Sequence, residues 1–385
     1  MLKSLRVSNY RSLGEDVCVD FGRFTALAGL NGSGKSNLVD VIRFVSDAMH
    51  VGLPDAVAYR NGIEAVRRWS GGPPFDLRVE VDLVLGDGVD GHYGFVLTGT
   101  DVEAYHVASE HVRLTRSDGT RVEFRVNDGQ WTKGPSDLRP PLSRRALALQ
   151  LVGGDERFSP LVHALRAMSV YSIFPDTLRV PQKYSPRRPM ERHGENWVSI
   201  LKDQPVDTWK SELVAALDKL TGDTVDIKVE PTAGYLVVMF EHRASEKPKW
   251  FGAQQESDGT LRVAGIISAL LQEPPVPVIG IEEPELTVHP GAIPLLYDFL
   301  HQATERSQVI ITTHSPEMLD HVEAGDVRVV ERRDGVTTVR PIASHQQQAV
   351  RGRLSSLGDL LRGPGLEQET GEITAASQSH RTGIS

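Results

Sequence analysis

The chain has 385 residues, of which 39% are hydrophobic and 24% charged, a balance that supports a sizeable buried core in one large domain or two smaller ones. Its formal net charge of −9 argues against a protein whose whole surface grips nucleic acid, while leaving room for a local basic patch. The single cysteine, Cys18, excludes an internal disulfide and a cysteine-cluster metal site. No apolar run approaches the roughly 18 residues that span a bilayer, and residues 1–10 do not read as a signal peptide, so the expected compartment is the cytoplasm.

The first informative stretch begins at Phe24, where a short apolar strand runs into Gly29-Leu30-Asn31-Gly32-Ser33-Gly34-Lys35-Ser36. A helix follows, with Leu38, Val41, Ile42, Val45 and Met49 at three-to-four-residue spacing. The turn matches G-x-x-x-x-G-K-S in full, in the strand–loop–helix setting that the motif requires. Glycines let backbone N–H groups curl around a phosphate, and the helix N-terminus adds positive potential. In such a loop Lys35 reaches the β and γ phosphates and the Ser36 hydroxyl is placed to hold Mg²⁺. An accidental glycine-rich turn is the competing explanation, and the complete pattern in context argues against it.

Beyond this helix the period changes. Leu77, Val79, Val81 and Leu83 alternate with Asp76, Arg78, Glu80 and Asp82, and Val122, Phe124 and Val126 repeat the alternation. Further strands are expected at 93–97 and 107–115, with Asp-Gly hairpin turns at 87–88, 90–91, 118–119 and 128–129. The region reads as an antiparallel sheet with one buried face, a scaffold without a catalytic signature. Residues 143–165 read as a helix and 170–174 as a short strand. A proline-rich connector at 175–189 then supplies Arg179, Lys183, Arg187 and Arg188, with Arg192 and His193 just beyond. Such a charge run is more often a solvated loop than one that contacts a phosphate backbone or reaches a nucleotide. A helical stretch at 206–220 and strands at 225–230 and 235–241 complete this middle region, which shows neither internal repeat nor heptads.

Ser257-Asp258-Gly259-Thr260 opens a helix whose buried face is Leu261, Ala264, Ile267, Leu270 and Leu271; taken alone, that serine is a helix cap. The apolar strand at 276–281 ends in Glu282-Glu283-Pro284-Glu285. Two adjacent carboxylates there divide the chemistry: the first holds the water shell of Mg²⁺, and the second accepts a proton from the attacking water. A third strand at 309–313 ends at His314-Ser315-Pro316, where parallel sheets place ligand contacts. Following the phosphate loop and the acid pair in order, His314 reads as a γ-phosphate sensor.

This order of phosphate loop, Ser-x-Gly helix, paired acids and strand-end histidine resembles that of ABC-type ATPases. The details look most like the RecF/SMC/OLD-related branch, the soluble bacterial "AAA family ATPase" proteins. The resemblance rests on Asn9-Tyr10-Arg11-Ser12, on the loop from Asn31 to Asn37, and on Ser257-Asp258-Gly259-Thr260-Leu261-Arg262. Glu282-Glu283-Pro284-Glu285 through His289-Pro290, and Thr312-Thr313-His314-Ser315-Pro316, complete it, and it covers nearly the whole chain to about Leu361. The implied fold is an α/β head with a mostly parallel core sheet, an antiparallel β-subdomain and a helical signature lobe. The implied division is an N-terminal lobe at 1–175, a connector and signature lobe at 176–275, a C-terminal half at 276–362 and an unstructured tail at 363–385.

The same resemblance implies roles. Lys35, with Asn31, Gly32, Ser33, Gly34 and Asn37, would bind the phosphates of ATP, while Ser36 and Glu282 would hold Mg²⁺. Glu283 would be the general base, and His314 would read the γ-phosphate. Ser257 and Gly259 would complete the site of a second copy in a head-to-tail homodimer, and Arg11 would approach the nucleotide. A Q-loop glutamine is expected too; Gln150 and Gln182 are candidates, and neither is singled out.

Departures from the family pattern narrow the function. Ser-Asp-Gly-Thr stands where transporters carry Ser-Gly-Gly-Gln, and Glu282 stands where an aspartate is usual; both count against a transporter subunit. About 220 residues separate Ser36 from Ser257 without heptads, which removes long coiled-coil arms. About 70 residues follow His314, with a strand pair around 327–339 and a helix around 354–361, against the roughly 100 that an added nuclease domain needs. The expected protein is a soluble dimeric ATPase without a membrane partner. It would couple nucleotide state to nucleic acid or to a separate effector such as a nuclease, in DNA repair or antiphage defence. The alternative is an ATP-held switch that hydrolyses slowly.

Overall fold

The computed structural model describes residues 1–68, 76–100, 104–245 and 247–369. Strands β1 (Leu2–Ser8), β2 (Val17–Asp20) and β3 (Phe24–Ala28) precede the phosphate loop. After it come β4 (Leu77–Val84), β5 (Asp90–Thr98), β6 (His106–Thr115), β7 (Arg121–Asn127) and β8 (Gln130–Lys133). These join β1 and β2 in an antiparallel sheet of order β2-β1-β4-β5-β6-β7-β8. The alternation read from the sequence is physical: Leu77, Val79, Val81 and Leu83 are buried while Arg78 is exposed. One difference concerns Asp90-Gly91. This pair lies inside β5, opposite Leu114 and Thr115, and the turn is made by residues 86–88 instead.

Strand β9 (Met168–Tyr171) belongs to the second layer, with β13 (Val278–Glu282), β14 (Gln308–Thr313), β15 (Val327–Arg333) and β16 (Val336–Pro341). Their order, β16-β15-β3-β14-β13-β9, is parallel except for the β15–β16 hairpin. β3 and β14 are buried at every residue, as expected of central strands covered on both faces.

The helix Lys35–Val51 was expected to bury one stripe, yet it is enclosed almost all round, with Val39, Phe44 and Ala48 buried beside Leu38, Val41, Ile42, Val45 and Met49. The reason is its place between the sheets. A Cβ at Gly280 of the core sheet would lie 3.2 Å from Val39, and the Phe44 ring stands 6.2 Å from Phe95 of the antiparallel sheet. Each fully buried large aliphatic or aromatic side chain there contributes about 1.5–3 kcal/mol, so this one helix bonds the two layers and fixes the phosphate loop at its N-terminus.

A third unit carries helices and a small antiparallel sheet of β10 (Thr224–Thr232), β11 (Tyr235–His242) and β12 (Lys249–Gly252). The helices Trp197–Asp203 and Lys210–Thr221 pack with it against the helix Asp258–Leu270, which is buried along nearly its whole length. The single helix expected at 143–165 is two, Ala148–Val152 and Ser159–Arg166, the first ended by Gly153-Gly154 and the second carrying Pro160 in its first turn. Residues 363–369, expected in an unstructured tail, are ordered: Gln368 bridges to Ile342, and its amide donates to the carbonyls of Val329 and Thr338 at 2.9 and 3.0 Å. The rest of that tail lies outside the described residues. No helix among the described residues is long and apolar enough to cross a membrane.

Candidate functional site

Strand register gathers the site. Thr313 of β14 pairs with Ala28 of β3, and Thr312 pairs with Glu282 of β13, so the phosphate loop, His314 and the acid pair leave the carboxyl ends of three adjacent parallel strands. Neighbouring strands are about 4.8 Å apart, which confines these groups to a small region.

The loop itself needs its glycines. Gly32 and Gly34 have φ of 77° and 105°, and a Cβ at Gly34 would meet Thr337 Oγ1 at 2.3 Å and Ser12 Oγ at 2.8 Å. Those two hydroxyls form a clamp. Thr337 Oγ1 donates to the Ser33 carbonyl at 2.7 Å and lies 2.8 Å from Ser12 Oγ, which accepts from Asn37 Nδ2 at 2.7 Å. Lys35 is 5% exposed, and its ammonium donates to the loop carbonyls of Gly29 and Leu30 at 2.8 and 3.1 Å. Burial lowers its pKa, opposed by the nearby charges of Glu283 and Glu285. The Ser33 hydroxyl is buried with no hydrogen-bond partner among the described residues. Asn31, Gly32 and Ser36 are exposed at the mouth of the loop.

The acid turn is strained and braced. Glu283 has φ 44°, unfavourable for a residue with a Cβ. Its N–H donates to the Thr312 carbonyl at 3.0 Å, and its Oε1 is 3.1 Å from His314 Nδ1. Arg262, from the helix Asp258–Leu270, donates to the carbonyls of Glu282 and Glu283 at 3.1 and 2.6 Å and also to Ile173. Glu285 is buried; desolvation raises its pKa, and it accepts from Thr313 Oγ1 at 2.5 Å. Glu282 Oε1 accepts from Arg192 Nη2 at 2.7 Å.

Ser257 is the cap of its helix, accepting from the Thr260 N–H at 3.1 Å. A Cβ at Gly259 would stand 2.9 Å from the Thr287 carbonyl, so the helix start packs on the segment that follows the acid turn. Arg179 reaches Asp258 at 2.5 Å and the Glu256 carbonyl at 3.2 Å, holding this start from the connector. Arg11, with φ 48°, pairs with Asp40 at 3.1 Å and lines a cavity of about 650 Å³ with Ser12 and Asn37.

Neither glutamine candidate is at the strand ends. Gln182 is buried in the connector, bonded to Thr177, Gly194 and Val198, and Gln150 lies beside Gly52. The residues that sequence reading missed are Arg192, Arg262, Ser12 and Thr337. Each acts at the site through tertiary contact; Ser12 and Arg262 lie in stretches that carry the resemblance but were given no role there, and Thr337 lies in no such stretch. The basic connector was the one signal that could have found Arg192.

Comparisons with known proteins give the family and the fold. A family described as "AAA domain, putative AbiEii toxin, Type IV TA system" matches residues 24–151 and 169–320. The chain is 29% identical over 178 residues to the DNA replication and repair protein RecF of Agrobacterium fabrum, a match spanning 43% of this chain and 43% of that protein. It therefore covers less than half the length of that relative. Among solved structures it is similar to an SMC head bound to the C-winged helix domain of ScpA, with a TM-score of 0.56 and 16% identity over 90% of this chain and 99% of that one. An Smc head domain with a coiled coil and joint from Pyrococcus yayanosii gives a TM-score of 0.51 and 13% identity over 92% and 99%. At these identities the likeness concerns the fold.

Proposed function

We propose that this chain, which belongs to the AAA-domain family described above and is an ABC-type ATPase of the RecF/SMC kind, binds ATP with Mg²⁺ and hydrolyses it in a head-to-tail dimer. The observation that carries this reading is the convergence of Lys35, the Glu282-Glu283 pair and His314 at the ends of three adjacent parallel strands.

The residues fit a triphosphate. Gly32 and Gly34, both at positive φ, put no side chain into the loop at their positions, and among the described residues the buried Ser33 hydroxyl lacks a partner and the Lys35 ammonium donates to carbonyls of its own loop. Ser36 and Glu282 are hard oxygen donors of the kind Mg²⁺ takes. Bound there, the ion would neutralise charge on the β and γ phosphates. In hydrolysis a water oxygen bonds to the γ-phosphorus as the bond to the β–γ bridging oxygen breaks. The water proton passes to the Glu283 carboxylate, ADP departs, and Lys35 offsets the negative charge on the phosphates. His314, hydrogen-bonded to Glu283 through Nδ1, orients that base; protonated, its Nε2–H is a donor for a γ-phosphate oxygen. Ser257 and Gly259 would meet the nucleotide of the second copy, and Arg11 would approach the nucleotide from its cavity wall.

The nucleotide state would be coupled to nucleic acid or to a partner protein, such as a separate nuclease, in DNA repair or antiphage defence. The name of the RecF relative, a DNA replication and repair protein, supports the DNA-repair direction. A slow switch held by ATP is the second reading, favoured by the occupation of Glu282 by Arg192. Phosphate release from ATP and Mg²⁺, measured with and without duplex DNA, tests the proposal. Turnover that Lys35→Ala and Glu283→Gln both abolish supports it. Binding without turnover in either condition supports the switch, and absence of ATP binding defeats both.

A further inference from the structure

Glu282 is expected to hold a divalent cation, and its carboxylate already has one cationic partner. Arg192 Nη2 donates to Glu282 Oε1 at 2.7 Å, the glutamate side chain being 13% and the arginine 36% exposed. A carboxylate this far from solvent needs a counter-charge. The other guanidinium at the turn, Arg262, bonds the backbone carbonyls of Glu282, Glu283 and Ile173, and its hydrogen bonds leave both carboxylates to others. Arg43 pairs with Asp47 at 3.4 Å and Asp40 at 3.9 Å.

The backbone of Arg192 is fixed where this contact requires it. Its carbonyl accepts from the Ser172 N–H at 2.9 Å, and the ring of His193 bonds the Ser172 carbonyl at 2.6 Å. Ser172 directly follows β9, the edge strand that pairs with β13, so the connector is pinned one strand from Glu282. The guanidinium has a spare donor: Arg192 Nε is buried with no partner among the described residues. An arginine whose fork is only partly used, bonded to the carboxylate proposed to hold the nucleotide's cation, has the donor set to bond either a carboxylate or a phosphate oxygen.

We infer that Arg192 is a positioning residue that stands in for the divalent cation on Glu282 and exchanges with it when nucleotide enters. Before loading, Arg192 keeps the desolvated carboxylate paired and correctly turned. With nucleotide and Mg²⁺ present, the ion takes over Glu282 and the released guanidinium transfers its donors to a phosphate oxygen. The arginine thereby competes with Mg²⁺ while supporting the nucleotide itself. This inference rests on the ATP-binding reading above.

The test uses the whole chain and the fluorescent analogue mant-ATP. Its affinity is measured in EDTA and across a Mg²⁺ titration, for the parent protein, Arg192→Ala and Arg192→Lys, with thermal unfolding to verify that each is folded. Chelation of Mg²⁺ by free nucleotide is common to all three. Loss of one charge-assisted hydrogen bond to Glu282 should lower the half-saturating Mg²⁺ concentration of Arg192→Ala about tenfold, and its affinity at saturating Mg²⁺ should fall by a similar factor. Arg192→Lys, which keeps the charge without the fork, should lie between. An unchanged or raised Mg²⁺ midpoint in folded Arg192→Ala overturns the exchange, as does an unchanged affinity at saturating Mg²⁺. If Arg192→Ala does not fold, Arg192→Lys decides by the same two shifts. A parent protein that binds no mant-ATP refutes the functional reading instead, so the two failures are distinguishable.

Discussion

The guanidinium of Arg262 donates to the backbone carbonyl of Glu283 at 2.6 Å, tying the helix that begins at Ser257 to the turn that carries the proposed general base. The same group bonds the carbonyls of Glu282 and Ile173, so one buried side chain bridges three segments. Glu283 sits at φ 44°, a conformation that persists only when its surroundings over-determine it. Arg262 supplies part of that constraint. In one subunit, the surface proposed to meet a neighbour's nucleotide is therefore mechanically joined to the subunit's own hydrolytic turn.

Arg262→Ala should consequently cost about 2–4 kcal/mol of stability, since three carbonyls lose a charge-assisted donor. Arg262→Lys should recover little, because an ammonium cannot span the fork. Denaturant unfolding reads the stability. Phosphate release should fall more than mant-ATP affinity in either variant, and an equal loss in both would deny the link to Glu283.

The clamp on the phosphate loop predicts a second effect. Thr337→Val keeps the shape and removes the donor to the Ser33 carbonyl, which should cost about 1–3 kcal/mol and weaken nucleotide binding. Gly34→Ala forces a Cβ against Thr337 and a side chain into a positive-φ position, and should abolish binding outright. Normal mant-ATP affinity in Gly34→Ala would show that the loop does not need its cradle.

The phosphate loop, the acid pair and His314 were legible in the sequence because each is a contiguous string at the end of an apolar strand, where chemistry and local structure coincide. The antiparallel sheet was legible through its alternation. Asp90-Gly91 misled because the Asp-Gly signal is local, whereas pairing with Leu114 and Thr115 is not. The helix expected at 143–165 is interrupted because Gly153-Gly154, a local breaker, ends its first part at Val152. Thr337 lies 304 residues from the Ser33 carbonyl it holds, and Arg192 lies 90 from Glu282; no spacing rule connects such pairs. Arg187, 78% exposed and paired locally with Glu191, is solvated as read, whereas the partners of Arg179, Arg188 and Arg192, namely Asp258, Asp203 and Glu282, are brought to them by the fold.

Glu110 predicts a pH dependence away from the site. It is fully buried, accepting from Tyr93 Oη at 3.2 Å and from the Leu149 N–H at 2.9 Å, and desolvation raises its pKa from 4.5 to about 7. Between those values the folded chain holds a proton that the unfolded chain has released. The stability from this group is thus complete below about pH 4.5 and is lost as pH rises through 7, a change of roughly 3 kcal/mol. Melting temperature measured from pH 5 to 8 should fall less steeply in Glu110→Gln than in the parent chain. Equal slopes would contradict the assignment.

The central claim is that a nucleotide held at Lys35 of one subunit is enclosed by Ser257 of another, and sizing of Glu283→Gln tests it most directly. With ATP and Mg²⁺ this variant should bind nucleotide, fail to release phosphate and elute as a dimer, while a second change, Ser257→Arg, should return it to a monomer. A nucleotide-loaded Glu283→Gln protein that remains monomeric at micromolar concentration, or a dimer indifferent to Ser257→Arg, would contradict the account.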